Sequence, residues 1–320
     1  MHWMGEIEVV FGLWAAALIA AMGVAVSWPV AVGYLDTRNF TEPLFVTAIM
    51  VVAASRPILV GVDALAQGMS TLLPFKRDIA LFFVVLSVVP LMGSLITEPA
   101  AMTMAALAVL INAAVLTFCV RNTFGAGADA GPVCQQNVVR SRHTPRVVIV
   151  VHICFLVGIV LNAHHPAVFV GLLLLFIGYA QAYPTHQDRL MIKEALLVGF
   201  FLAGLVILGG LQRWWLQDLL GGLSPSLLFW GSMALTALTD NAALTYLGAL
   251  VEGTSDAWRY MLVAGAVTGG GLTVIANAPN PAAFAILKNS FARRHIAPLH
   301  LFGCALAPTL VAAAMFLLGT

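Results

Sequence analysis

The sequence predicts an all-α polytopic membrane protein. Its 320 residues are 61% hydrophobic and 9% charged, whereas soluble domains carry roughly 25% charged residues, and the mean hydropathy is +0.97. The apolar runs are long and continuous rather than alternating, which favours helices over strands. A net charge of +1 without a basic face gives no reason to expect a nucleic-acid partner. The expected surroundings are membrane lipid and small ions.

Apolar segments follow one another along the chain, and a membrane span needs about 20 residues. They lie near residues 9–35, 43–73, 79–97, 99–119, 147–162, 167–183, 191–211, 227–252, 259–287 and 298–318. We expect the first to be a membrane helix retained in the mature protein, because Glu6 and Glu8 stand where a signal peptide would be basic.

Two of these segments are predicted to be interrupted. Segment 227–252 is too short for two crossings, which need about 40 residues, and is interpreted as a re-entrant hairpin with Asp240 at its tip. Segment 259–287 can cross once, with an unwound centre at residues 269–281, which read GGGLTVIANAPNP. Hydrocarbon tolerates such breaks only where they face protein or a water-filled cavity. Together they indicate a small-ion site.

Positive charge predicts the topology, because Lys and Arg accumulate on the cytoplasmic side. The basic clusters placed there are Lys76 and Arg77; Arg121, Arg140, Arg142 and Arg146; and Lys288, Arg293 and Arg294. With this assignment, hairpin 227–252 opens from outside and segment 259–287 crosses inward. Segments 79–97 and 99–119 together go up and return to the cytoplasmic side, either as a hairpin that opens from inside or as two full crossings. The prediction is therefore one of inverted repeats with re-entrant hairpins and interrupted helices.

A short internal repeat supports the inversion. Residues 97–103 read TEPAAMT and residues 239–245 read TDNAALT, so that a carboxylate stands at both predicted tips. No partner of the break at 269–281 follows in the first half, whose repeat is therefore predicted to be incomplete. The predicted divisions are a first transmembrane repeat at 1–120, a polar cytoplasmic loop at 121–146 and a second repeat at 147–320.

Asp240 is the leading candidate for cation and proton binding. A carboxylate at mid-membrane depth is costly, which suits a group that is either protonated or paired with a cation. The alternative is a tip in an aqueous mouth, where Asp240 would only cap the helix that begins at Asn241.

Neutral oxygens near both interruptions could complete an oxygen shell for a hard cation. They belong to Asn241, Thr239, Thr245, Thr273, Asn277 and Asn280. The Na⁺ ligands expected among them, with Asp240, are Asn241, Thr273 and Asn277.

The second interruption is predicted from its backbone chemistry. Gly269, Gly270 and Gly271 allow close backbone approach, while Pro279 and Pro281 prevent the helix from resuming smoothly. The alternative interpretation of such a run is a packing kink.

Three further charged residues are candidates for a role in the site. Glu98 is the pseudo-symmetric counterpart of Asp240; the alternative is an exposed glutamate in an extracellular turn. Arg56 and Asp63 share one face of segment 43–73 with Gln67. Arg56 is a candidate counter-ion for Glu98 or Asp240, and the alternative is a local Arg56–Asp63 pair that holds the bundle together.

The break at residues 269–280 resembles the GGxxTxIGxxxN break of the ion transporter superfamily, which includes NhaD-type antiporters, arsenite carriers and divalent-anion/Na⁺ symporters. The tips at residues 97–99 and 239–241 look like the TEP and TDN tips of its predicted Na⁺/H⁺ antiporter branch. Residues 41–43 (TEP) and 55–57 (SRP) also resemble an early helix of that branch. The likeness covers nearly the whole chain except 121–146, and Ala276 and Ala278 depart from the pattern.

The resemblance implies two inverted repeats, a homodimer, and a multi-pass protein of the bacterial inner membrane. It places the second-half cation site on Thr239, Asp240, Asn241, Thr273, Asn277 and Asn280.

The leading functional hypothesis is a secondary transporter that exchanges Na⁺ (or Li⁺) for H⁺ at Asp240, with no cofactor. The alternatives are a Na⁺-coupled organic-anion or oxyanion transporter, and a non-transporting remnant that lacks the first-half break. An enzyme is not expected, because the chain lacks GxGD, HExxH and GxSxG motifs.

Overall fold

The computed structural model describes residues 7–97, 144–277 and 297–318, and these are helical and contain no β-strand. This confirms the predicted all-α membrane class. The helices are α1 (Ile7–Ala25), α2 (Trp28–Asp36), α3 (Thr41–Ala53), α4 (Arg56–Ser70), α5 (Arg77–Thr97), α6 (Arg146–Leu161), α7 (Pro166–Ala182), α8 (Ile192–Gly209), α9 (Arg213–Leu220), α10 (Pro225–Thr236), α11 (Asn241–Ala249), α12 (Asp256–Gly269) and α13 (Pro298–Leu318).

Among the described residues, α8 and α13 are long and apolar enough to cross a membrane, and the bent pair α3–α4 makes a third span if it is counted as one. Shorter apolar helices are Val9–Ala25, α6 and α7. Five predicted segments agree with the observed helices to within two residues: 79–97 with α5, 147–162 with α6, 167–183 with α7, 191–211 with α8 and 298–318 with α13.

The first two segments are each broken where the sequence analysis expects one continuous helix, and that expectation is wrong. Segment 9–35 is divided into α1 and α2, and segment 43–73 into α3 and α4, which are bent by 70°. In both cases proline is the physical reason. Pro29 and Pro57 stand four residues after Ala25 and Ala53, the last residues of α1 and α3, and have no N–H to donate to those carbonyls. Ser27 then begins α2 by accepting a hydrogen bond from the Val30 N–H at 3.5 Å.

The described residues form two compact units, each with sequence from both sides of residues 98–143. Unit 1 comprises residues 7–59, 144–228 and 242–262; unit 2 comprises residues 60–97, 229–241, 263–277 and 297–318. The division into 1–120, 121–146 and 147–320 stays a prediction.

Unit 1 is built around α3 and α8. Helix α1 packs along α8, and α3 packs against α6, α7 and α8. One core cluster lies on α3, α6, α7 and the start of α8, with Phe169 and Phe176 fully buried. A second core cluster joins α9 to the loop after α11 and to the start of α12, through Leu216, Val251 and Trp258. Close contact between α1 and α8 requires Gly204, because a Cβ there would lie 2.8 Å from the Phe11 carbonyl.

Candidate cation site

Three consecutive helices of the second half are too short to cross a membrane. Helices α10, α11 and α12 contain 12, 9 and 14 residues, and at about 1.5 Å per residue each is shorter than the ~30 Å hydrocarbon core. The chain leaves helical geometry at residues 237–240 and again from Gly270 to Asn277. Both interruptions begin where the sequence predicts them.

Within unit 2, the segment that leads into Asp240 runs parallel to the segment that leads into the glycine-rich break. Gly265 lies against the carbonyl oxygen of Phe229, and Gly269 against that of Met233. Beyond the helices, the Thr273 hydroxyl donates to the Ala237 carbonyl at 2.8 Å. The paired positions (229 and 265, 233 and 269, 237 and 273) keep a constant offset of 36 residues. The two segments are therefore parallel and stay in register.

The parallel register brings the carboxyl ends of α10 and α12 together. Helix α10 ends at Thr236 and α12 at Gly269, and a Cβ on Gly269 would be 3.0 Å from the Thr236 Cβ. The carboxyl end of each helix carries a partial negative charge from its terminal carbonyl groups. Two such ends side by side favour a cation.

Asp240 lies at this shared end and is buried. Its residue is only 8% exposed, and it stands directly before Asn241, the first residue of α11. The next residue links the interruptions directly, because the Asn241 N–H donates to the Ala276 carbonyl at 3.2 Å. The Asn241 side-chain amide is also close to the second break: its nitrogen would lie 3.4 Å from a Cβ on Gly270. The structure thus brings together Asp240, Asn241, Thr273 and the start of the glycine run.

The remaining predicted ligands are placed differently. Thr239 is exposed, and its hydroxyl donates to the Leu235 carbonyl at 2.8 Å. Thr245 lies in unit 1, where its hydroxyl donates to the Ala242 carbonyl at 3.2 Å. Asn277 is half-buried at the end of the described part of the break. The roles of these three stay predictions. Glu98, Pro279, Asn280 and Pro281 lie outside the described residues.

Thr236 is a site residue that sequence reasoning missed. It is fully buried at the carboxyl end of α10, and its hydroxyl has no hydrogen-bond partner among the described residues. Other buried hydroxyls nearby use a carbonyl of their own helix: Thr268 donates to Ala264 at 2.6 Å and Ser232 to Phe229 at 3.1 Å. Leaving a buried hydroxyl unbonded costs about 1–3 kcal/mol. The hydroxyl oxygen of Thr236 is therefore a candidate ligand at the end where the two helices meet.

Arg56, the candidate counter-ion, has a partner that the sequence did not suggest. Arg56 is buried at the start of α4, and its guanidinium lies 3.6 Å from the carboxylate of Asp188 in the α7–α8 loop. Asp63 is exposed and accepts a hydrogen bond from Gln67 at 2.8 Å. Nothing in the sequence connects Arg56 with Asp188, since they lie far apart along the chain. The counter-ion role of Arg56 and Asp63 stays a prediction.

We expect Gly269→Ala to lower the stability of the protein, because a Cβ at residue 269 would overlap the Met233 carbonyl oxygen. The position of a Cβ is fixed by its backbone and the carbonyl is itself backbone, so the helices must separate, and overpacking of this kind costs about 1–3 kcal/mol. Thermal unfolding of the purified protein in detergent measures the effect. Gly231→Ala is the matched control. No atom lies within 4 Å of a Cβ there, so the helix propensity of Ala leaves it neutral or slightly stabilising. Equal stability of Gly269→Ala and wild type would contradict the close approach.

Apolar helices that can cross a membrane, together with two helices that end side by side around a buried carboxylate, define an integral membrane protein of the ion-transporter class. A family model described as "Putative Na+/H+ antiporter" matches residues 1–109 and 105–319, which together cover nearly the whole chain. The chain belongs to this family and is a cation/proton antiporter. Comparisons with curated proteins and with solved structures gave no match.

Proposed function

We propose that the protein exchanges Na⁺ (or Li⁺) for H⁺ at a site centred on Asp240. The observation that carries the proposal is the position of this carboxylate, which is buried where α10 and α12 end together in parallel. A carboxyl group in such surroundings is stable when it is protonated or when a cation neutralises it. Membership of the antiporter family supports exchange of a cation for a proton.

Exchange follows from competition for one group. When Asp240 is protonated it is neutral and no longer attracts a cation. When it loses the proton it becomes an anionic ligand at the negative ends of two helices, and a cation binds. Because the two states exclude each other, one site couples a proton to a cation without a further device.

Neutral oxygens from both interruptions complete the proposed shell. The Thr273 hydroxyl donates its proton to the Ala237 carbonyl, and its oxygen is proposed as one of the ligands. Thr236 contributes a buried hydroxyl oxygen, and the Asn241 side chain contributes an amide oxygen. Asn277 and Asn280 are proposed to extend the shell along the second break.

Purified protein in liposomes with a trapped pH dye tests the proposed exchange. With the membrane potential clamped by K⁺ and valinomycin, external Na⁺ or Li⁺ should enter in exchange for internal H⁺. This exchange should raise the internal pH. Choline chloride at the same osmolarity should leave the pH unchanged. A response to Na⁺ no larger than that of protein-free liposomes would overturn the proposal.

A further inference from the structure

A cavity in unit 1, separate in sequence from the proposed cation site, lies beside the loop that joins α7 to α8. Its volume is about 960 Å³, and its walls come from the end of α7, the loop itself and the first half of α8. A space of this size can hold part of a lipid molecule.

The side chains that α8 contributes change from charged to apolar along the helix. Lys193, Leu196, Leu197 and Phe200 are spaced by three, one and three residues, so that they share one helix face. Lys193 is in the first turn, and Phe200 lies about 10 Å further along the axis at 1.5 Å per residue. Helix α8 is long and apolar enough to cross a membrane, so its first turn is at a membrane surface and the apolar wall extends into hydrocarbon.

The charged end of the cavity is positive. Arg189 and Lys193 line it, and neither forms an ion pair with any residue that the structure describes. Asp188 also lines the cavity, but its carboxylate faces the Arg56 guanidinium at 3.6 Å. Glu194, the neighbour of Lys193, is not part of the wall. Two cations therefore face the cavity with the one acidic side chain of the wall already paired.

The loop that carries Arg189 is held in place by contacts at two adjacent residues, Gln187 and Asp188. The Gln187 side chain contacts the ring of His152, which is fully buried in α6. Asp188 is held by Arg56 at the start of α4. A loop tied to two different helices keeps the cation at one place, and the binding site is therefore formed in advance of its ligand.

We propose that this cavity binds an anionic phospholipid, with the headgroup phosphate between Arg189 and Lys193 and an acyl chain along Leu196, Leu197 and Phe200. An anionic lipid satisfies both ends of the cavity, because two cations match its headgroup and the apolar wall matches its chain. The proposal does not depend on the cation site at Asp240, and binding is measured without transport.

Titration in neutral detergent, read by native mass spectrometry, tests this lipid site. Wild-type protein should retain phosphatidylglycerol more tightly than phosphatidylcholine. Arg189→Gln with Lys193→Gln should weaken phosphatidylglycerol binding about thirty-fold, because each basic residue contributes about 1 kcal/mol near an anionic headgroup and about 1.4 kcal/mol is tenfold. Lys76→Gln with Arg77→Gln, which removes the same charge at the start of α5, should have no effect.

A second variant fills the apolar end. Leu196 is 58% exposed, so the Leu196→Trp variant should fold normally. The larger side chain should narrow the cavity and weaken lipid binding, although Arg189 and Lys193 are both retained. This variant decides the test if the double Gln variant does not elute with wild type on size exclusion. Equal binding of the two lipids, wild-type binding by both variants, or equally tight binding of glycerol phosphate would each overturn the proposal.

Discussion

Asp240→Asn is expected to abolish Na⁺-dependent proton movement in proteoliposomes. The amide has nearly the shape of the carboxyl group but cannot lose a proton to become an anionic ligand, so the site is fixed in its neutral state. Removing one charged partner of a buried pair costs about 3–5 kcal/mol, which is a fall of at least about 100-fold in cation affinity. The pH-dye assay with Na⁺ and with Li⁺ measures the loss.

The control for this result is Asp256→Asn. Asp256 is an exposed carboxylate in the first turn of α12, the same helix that ends at the proposed site. Its replacement removes the same charge by the same chemistry and should leave exchange unchanged. Asp240→Asn should also match wild type on size exclusion. Exchange at the wild-type rate by Asp240→Asn would exclude the carboxylate as the coupling group.

The two interruptions could be predicted from sequence because their causes are local. An Asp within an apolar segment and three successive glycines are both unfavourable in a continuous membrane helix, whatever the rest of the fold. The topology inferred from positive charge has both segments running in the same direction, and the structure shows them parallel to each other. The breaks at Pro29 and Pro57 have equally local causes. They were missed because the hydropathy of each segment is continuous across the proline.

The register between the interruptions could not be predicted in this way. It depends on Gly265 and Gly269 meeting the backbone of Phe229 and Met233, and small residues in membrane helices are too common to identify their partners. Thr236 was missed for a similar reason, because a threonine in an apolar helix usually bonds a carbonyl one turn back. Only its burial and the geometry of its hydroxyl distinguish it.

Thr236→Val is expected to raise the half-saturating Na⁺ concentration while leaving the protein as stable as wild type or more so. Valine has the shape of threonine without the hydroxyl. Because that hydroxyl has no hydrogen-bond partner among the described residues, its removal relieves a desolvation cost of about 1–3 kcal/mol. Loss of one ligand to a charged ion costs about 1.5–3 kcal/mol, or roughly 10- to 100-fold in affinity. Na⁺ titration of exchange and thermal unfolding in Na⁺-free detergent measure the two effects.

Thr268→Val is the matched control, with the opposite expectation. Thr268 is also buried in unit 2, but its hydroxyl donates to the Ala264 carbonyl at 2.6 Å. Its replacement should lower stability by about 1 kcal/mol and leave the Na⁺ dependence unchanged. A purely structural role for Thr236 would leave the Na⁺ dependence of Thr236→Val unchanged, as in Thr268→Val. Lower affinity with undiminished stability in Thr236→Val alone would identify Thr236 as a cation ligand rather than a packing residue.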